Sequence, residues 1–376
     1  MGRRGENIYK RKDGRWEGRY ISGYGVDGKA KYSYVYARSY SEVKTKLLSA
    51  HNAYSVSTRK SNKHFGDWMD EWLLKKQKVV KESTYIRYRN MIENHIRPAL
   101  GKYPIDKIST ELVEQFVLSA SKCGRLDNNG GLSPKSINDM LVVLREVFKF
   151  THNSGVNSIC DLSQVMIRKS QREMRVLSIS EEKRLITVLM SETDRYKIGV
   201  YICLFTGIRI GELCALRWEH ISFEEKTLTV KQTMQRLQNS DSVSIAKTAI
   251  VITEPKSFAA VRTIPLPDFL IEILRPFACS QNAYILSGRS EKYVEPRTMQ
   301  NRFKAYLNEG QIADANFHSL RHTFATRCIE NGFEVKSLSE VLGHASVKIT
   351  MDRYVHSSMD LKRANMEKLN GIAALL

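Results

Sequence analysis

Residues 316–356 read NFHSLRHTFATRC…VLGHASVKITMDRYVH and gather His318, Arg321, His322, His344, Tyr354 and His356 into one short stretch. Upstream, TGIRIGEL contributes Arg209 and Glu212, and EPKSFAAVRTIPL contributes Lys256. Two arginines, a lysine, histidines and a late tyrosine, with no pair of carboxylates spaced for a metal, suit one task. They can hold a phosphodiester while a tyrosine oxygen attacks it. Arginine grips phosphate oxygens bidentately, whereas lysine acts as a point charge. A phenol titrates near pH 10, about three units above neutrality, so it attacks only with cations or proton acceptors close by.

Each of these residues also has a plainer reading. Val347, Met351 and Tyr354 fall at helical spacing, as a core tyrosine would. His318 and Arg321 are one turn apart and so share a helix face, beside an apolar face of Leu320, Phe324 and Cys328. His318 and His322 have the i, i+4 spacing of a zinc helix, but no glutamate follows the first histidine and no third ligand is evident. His344 follows Leu342-Gly343. Ser337-x-x-Glu340 reads as the capping box of a short helix and Gly343 as its stop, which leaves His344 in the next turn. Arg209 stands between two glycines that permit tight turns, with Glu212 one turn on; the bland alternative is an exposed ion pair worth only tenths of a kcal/mol. Lys256 falls between strand signals, on a hairpin tip, with Lys247 as a nearby competitor.

The elements that must position these groups follow from periodicity. Residues 7–12, 15–23 and 30–37 are rich in Tyr, Val and Ile. The turn pairs Asp13-Gly14 and Asp27-Gly28 separate them, so they predict a three-stranded hairpin sheet followed by a helix over 39–52. That sheet carries Arg15, Arg19, Lys29 and Lys31, and a β-ribbon of this width fits a DNA major groove. The alternative is a basic face left to solvent. Residues 53–63 are polar, as a linker would be. Phe65, Trp68, Met69, Trp72 and Leu73 then mark an amphipathic helix. Further helices are expected over 83–96, ended by Pro98 and Gly101, over 110–121 and over 136–153. Tyr85, Arg87, Tyr88 and Arg89 interleave aromatic and basic side chains, either as a phosphate-tracking surface or as core tyrosines beside solvated arginines. A basic connector spans 160–178. From Ser180, expected to cap a helix, a second large folded region begins. It has helices over 196–205 and 210–216, strands over 227–232, 243–253 and 261–265, and helices over 267–277, 295–308, 318–331, 338–342 and 347–354.

The 376 residues carry a net charge of +19, and residues 1–60 alone hold 14 Lys/Arg against 5 Asp/Glu. An excess concentrated at one end of a long folded chain points to a polyanion, nucleic acid first and an anionic membrane second. The longest apolar run, near 198–205, is far short of the roughly 20 residues that span a bilayer. No secretory signal is visible. The cysteines at 123, 160, 203, 214, 279 and 328 form no C-x-x-C pair, as expected of reduced, packed thiols in a cytosolic protein.

The order Arg209, Lys256, His318-x-x-Arg321, His344, Tyr354, in the strings TGIRIGEL, PKSFAAVRTIPL, HSLRHTFAT and LGHASVKITMDRYVH, resembles the tyrosine recombinases, the phage and conjugative-transposon type integrases. The catalytic resemblance covers about 180–376; LGKYPIDKIST looks like part of the family's core-binding domain, and the N-terminal sheet looks like an arm-binding domain. The resemblance implies an α+β multidomain chain: an arm-type DNA-binding domain over 1–56, a helical core-binding domain over 60–160, and a mainly helical catalytic domain with a small antiparallel sheet over 177–376. It implies that Tyr354 attacks the scissile phosphate to give a 3′-phosphotyrosyl link. Arg209 and Arg321 would bind the non-bridging oxygens with help from His318. Lys256 would protonate the departing 5′ oxygen, His344 would position or share a proton, and Glu212 would buttress the site. A site-specific recombinase for a mobile element follows, acting as a homotetramer on core and arm sites of double-stranded DNA through a Holliday junction. It would need no metal or nucleotide cofactor. A directionality factor (excisionase), exchange of C-terminal segments and a cytoplasmic, nucleoid-associated setting in a bacterium are further implications. The amphipathic tail with Met366, Leu369, Ile372 and Leu375 would dock in a neighbour or fold back on its own domain. The competing readings are a catalytically idle DNA-binding regulator, a type IB-like topoisomerase and a metal nuclease.

Overall fold

The structure, a computed structural model, describes residues 7–24, 30–57, 63–156, 160–163, 165, 167, 174–192, 194–239, 247–254, 261–355 and 366–367. The chain divides into two compact units, residues 1–171 and 172–376. The first begins with strands β1 (Ile8–Lys10), β2 (Trp16–Tyr24) and β3 (Ala30–Ala37) in an antiparallel sheet of order β1-β2-β3, followed by helix α1 (Tyr40–Ser57). Strand alternation sends Ile8, Val35 and Ala37 to one face, where they meet Val43 and Leu47 of α1. Gly18 is required there: a Cβ would lie 2.9 Å from Val43 Cγ1. The opposite face exposes Tyr32, Tyr34 and Tyr36. Helix α1 runs to Ser57, through residues whose polarity had suggested a linker from 53 onward.

The rest of the first unit is a bundle of α2 (Phe65–Gln77), α3 (Glu82–Met91), α4 (Arg97–Leu100), α5 (Thr110–Cys123) and α6 (Pro134–Asn153). All five apolar residues of the predicted α2 stripe are buried. The helix expected to stop at Pro98 and Gly101 passes Pro98 and ends at Gly101. A π-helical turn, Ile92–Ile96, joins α3 to α4, so the helix runs through Pro98; its missing N–H leaves a gap in the ladder directly after the π turn.

The second unit starts with α7 (Ile179–Met190), α8 (Arg195–Thr206) and α9 (Ile210–Ala215). Ser178, not Ser180, caps α7: its hydroxyl accepts the Glu181 N–H while the Glu181 carboxylate accepts the Ser178 N–H. Strands β4 (Ile221–Ser222), β5 (Thr227–Val230), β6 (Thr233–Gln238), β7 (Thr248–Thr253) and β8 (Arg262–Pro265) form a three-stranded sheet of order β4-β5-β8 and a β6-β7 hairpin, all antiparallel. Helices α10 (Asp268–Leu274), α11 (Pro296–Glu309), α12 (His318–Glu330), α13 (Val335–Leu342) and α14 (Val347–Tyr354) complete it. Helix α8 is buried almost throughout and anchors the large core. A smaller cluster of Ala325, Cys328, Leu338, Leu342 and Tyr354 joins the last three helices. Helix α13 begins at Val335 rather than at the proposed Ser337 capping box; the Ser337 hydroxyl instead donates to the Glu334 carboxylate. Among the described residues, no helix is long and apolar enough to cross a membrane.

Candidate active site

Helix α12 presents His318, Arg321 and His322 from its first turn and a half. Arg321 is buried, with Nη1 donating to the Gly207 carbonyl at 2.8 Å and Nη2 to the Leu342 carbonyl at 2.8 Å. Gly207 ends α8 in the left-handed region, φ +65°, and a Cβ there would strike the Phe324 ring at 2.5 Å. The TG of TGIRIGEL is therefore a turn that brings a carbonyl to Arg321 and lets α12 pack close.

Arg209 caps α9. Glu212, on the next turn, accepts the Arg209 amide at 2.9 Å and its Nη1 at 2.7 Å. This is no solvated ion pair, because Glu212 is only 3% exposed. Its second partner is a residue sequence reasoning missed. Arg262, buried on β8, donates Nη2 to Glu212 Oε2 at 2.9 Å. A signal for it existed: strand alternation puts Arg262 on the same inward face as Ile264. Burial raises the Glu212 pKa, but the hydrogen bond and charge of Arg262, with Arg209, outweigh it and hold the carboxyl below its ordinary value.

Three arginines then close on the end of one helix. Arg262 Nε donates to the Val341 carbonyl (2.6 Å), Arg321 Nη2 to that of Leu342, and Arg209 Nη2 to that of Gly343 (3.5 Å). These are carbonyls a helix leaves without internal partners, at its negative end. Gly343 turns the chain at φ +65°, with Arg262 Cδ 3.0 Å from where its Cβ would be. His344 comes next, so the arginines fix where it stands. Its Nδ1 lies 2.8 Å from the Thr350 hydroxyl.

Tyr354, at the end of α14, is 5% exposed, and its hydroxyl lies 2.9 Å from His322 Nδ1. His322, considered from sequence only as half of a zinc pair, is thus in contact with the phenol. His318 sits beside it, ring edge to face at 4.6 Å, and remains exposed. Arg353, also unremarked in the sequence, adds its charge at the phenol and at all three histidines.

The charges here crowd one another. Burial and then the neighbouring Arg209 lower the Arg321 pKa to about 9. Burial, then Arg321, Arg209 and Arg353, lowers His344 to about 3. Burial, then Arg353 and Arg321, lowers His322 to about 4. Burial raises Tyr354, opposed by Arg321 and Arg353. Cations packed this closely with one carboxylate among them make a seat for an anion. The histidines are neutral at pH 7, and the unfolded chain takes up protons below about pH 6.5 that the folded site refuses. Stability should therefore fall as pH drops from about 6.5 to 5. His95 and His220 are lowered in the same direction. The share of His344 is the part of the slope removed by His344→Asn in denaturant unfolding at pH 5 and 7; an unchanged slope would contradict the shift.

The remaining expected residues lie elsewhere. Lys256 and Lys29 lie outside the described residues, as does the side chain of Lys31. Lys247 is exposed, directly before β7. Arg15 donates to Asp13 and lies over Tyr36, and Arg19 lies over Tyr32 at 4.6 Å. Tyr85 and Tyr88 pack on the bundle core, Arg87 is exposed 3.8 Å from Asp139, and Arg89 is half-buried.

Comparison with known proteins agrees with this architecture. Residues 175–360 match the phage integrase family, and residues 64–119 match the phage integrase N-terminal SAM-like domain. The chain is 25% identical over 332 residues to a XerC-like tyrosine recombinase of Caldanaerobacter subterraneus subsp. tengcongensis (strain DSM 15242 / JCM 11007 / NBRC 100824 / MB4), covering 82% of this chain and 83% of that protein. It shares its fold with the Tn1549 transposon integrase solved with circular intermediate DNA (TM-score 0.65, 22% identity, 82% of this chain and 100% of that one). It also shares it with lambda integrase, solved as a tetramer on a Holliday junction (TM-score 0.55, 18% identity, 94% and 98%). Matched by both family models along its two units, the chain belongs to the phage integrase family, the tyrosine recombinases.

Proposed function

We propose that this recombinase cuts DNA with Tyr354, forming a 3′-phosphotyrosyl link, while Arg209 and Arg321 hold the non-bridging oxygens of the scissile phosphate. The observation that carries the reading is that Arg209 and Arg321 reach the adjacent Gly343 and Leu342 carbonyls, with the buried Tyr354 phenol close to Arg321. A phosphate placed between two fixed guanidinium groups relieves their repulsion and is held in line for attack, which supplies most of what phosphoryl transfer needs. Glu212 orients Arg209, His318 and His344 border the phosphate, and Lys256 protonates the leaving 5′ oxygen, with Lys247 as its alternate. The phosphotyrosyl bond conserves the energy of the phosphodiester, so rejoining to a new 5′ hydroxyl requires no nucleotide.

The Tn1549 and lambda neighbours support extending the proposal to a mobile element moved by a tetramer through a Holliday junction; an excisionase that sets direction belongs to the same reading. In this reading the protein works on DNA at the nucleoid, in the cytoplasm. Residues 177–376 form the catalytic domain, 60–160 grip core DNA with Arg87 and Arg89, and 1–56 bind arm sites. For the last, the support is a sheet face on which Tyr32, Tyr34 and Tyr36 stand exposed among Arg11, Arg15 and Arg19. Lys29 and Lys31 add to the charge of residues 1–56.

The test uses the junction sequence of the element on a nicked suicide duplex. The wild-type chain gives an SDS-resistant adduct that survives EDTA, and it recombines plasmids only when they carry paired sites; relaxation of any supercoiled plasmid would favour a topoisomerase instead. Deleting residues 1–60 should leave core-site cleavage within about threefold and lower whole-site integration by about tenfold or more, as phosphate contacts are lost. Unchanged integration would remove the arm-binding role.

A further inference from the structure

A tyrosine must lose a proton before its oxygen can bond to phosphorus. The groups around Tyr354 differ in their ability to take it. Arg321 and Arg353 stabilise a phenolate but accept nothing. Glu212, the carboxylate of this pocket, is engaged by Arg262 and Arg209. His344 faces Thr350 through Nδ1, and its ring centroid is 6.4 Å from that of the phenol. His322 Nδ1, by contrast, is 2.9 Å from the phenolic oxygen, with the two rings tilted by 48° and their centroids 5.8 Å apart. Both side chains are nearly sealed from water, at 9% and 5% exposure.

We propose that His322 is the general base that takes the phenolic proton of Tyr354 during DNA cleavage and returns it during rejoining. The proposal rests on reading Tyr354 as the nucleophile. In the step, the Tyr354 O–H bond breaks and its proton moves to Nδ1 of a neutral imidazole that carries its own hydrogen on Nε2. The freed electron pair forms the O–P bond. The P–O5′ bond breaks, and the 5′ oxygen takes a proton from a separate acid, Lys256 in the proposed assignment. Rejoining reverses each move, with the imidazolium protonating the departing phenolate.

The charges facing His322 make its basicity depend on DNA. From α12 it faces Arg321 and the edge of His318; from α14 it faces Arg353 and Tyr354. Without substrate, these cations and the surrounding burial keep the ring from holding a proton. A phosphate between Arg209 and Arg321 offsets those charges, so the imidazole becomes a competent acceptor when there is a bond to cut. Before DNA binds, the phenol keeps its proton.

Single-turnover cleavage of the suicide duplex from pH 5.5 to 9.5 tests this. The wild-type rate should level off near neutral pH. His322→Asn, which keeps an acceptor without basicity, should cleave about 10²- to 10⁴-fold more slowly at pH 7. Its rate should climb about tenfold per pH unit as hydroxide takes over. Added imidazole should restore His322→Ala. DNA binding by gel shift should stay near wild type in both variants. Cleavage by His322→Asn at the wild-type rate and pH profile overturns the proposal. So does a slow variant with a flat profile that imidazole does not rescue, which would assign a purely structural role. A Tyr354→Phe chain that still forms the adduct would instead defeat the nucleophile assignment beneath it.

Discussion

Tyr354→Phe is expected to form no covalent DNA adduct, a loss of at least about 10⁴-fold, while the chain still folds and binds DNA. The change removes one oxygen and leaves the ring in its cluster with Ala325, Cys328, Leu338 and Leu342. The lost hydrogen bond to His322 is worth about 1 kcal/mol, less than most domains need to stay folded. The whole deficit should therefore appear in chemistry, because the oxygen removed is the one held beside Arg321 and Arg353. Adduct counted on denaturing gels, with binding followed by gel shift, separates the two quantities. Equal adduct from the phenylalanine variant would move the nucleophile elsewhere. A wild-type chain that binds its junction but never becomes linked to it would be a regulator with an idle site.

The second large effect is expected at Arg262, away from the phenol. Arg262→Met should destabilise the second unit by about 3–5 kcal/mol, since Glu212 then keeps a buried charge with Arg209 as its remaining partner. The Glu212→Gln/Arg262→Met double variant should be less destabilised than Arg262→Met alone, because an unpaired carboxylate costs more than a missing pair. Amide hydrogen exchange in α9 and β8 reads this locally. Cleavage should fall with the single variant even where folding is restored by temperature. Arg262 holds Glu212 against Arg209 on one side and the Val341 carbonyl, two residues from Gly343, on the other. Protection within about 1 kcal/mol of wild type would show that the pair is dispensable.

Much of the site could be read in the chain. The i, i+3 spacing of His318 and Arg321 put them on one helix face, and Gly343 ended a helix directly before His344. The apolar stripe of α2 and the outline of α8, α12 and α14 followed from periodicity, because the pattern of burial along one element is written in its own sequence. Local rules failed where a neighbour had altered the backbone. The π turn before Pro98 and the early start of α13 are examples, and Ser178 took the cap that Ser180 seemed to offer.

Residue types and their order suggested the chemistry, because guanidinium groups, imidazoles and a phenol together suit the holding and attack of a phosphodiester. Partnership was another matter. Whether Glu212 lay in water or between two arginines, and which histidine met the phenol, depended on segments more than thirty residues apart. Desolvation sets the strength of each of those charges, and desolvation belongs to the packed molecule: only when α12, α13, α14 and β8 closed together did His322 reach Tyr354 and three arginines converge on one helix end.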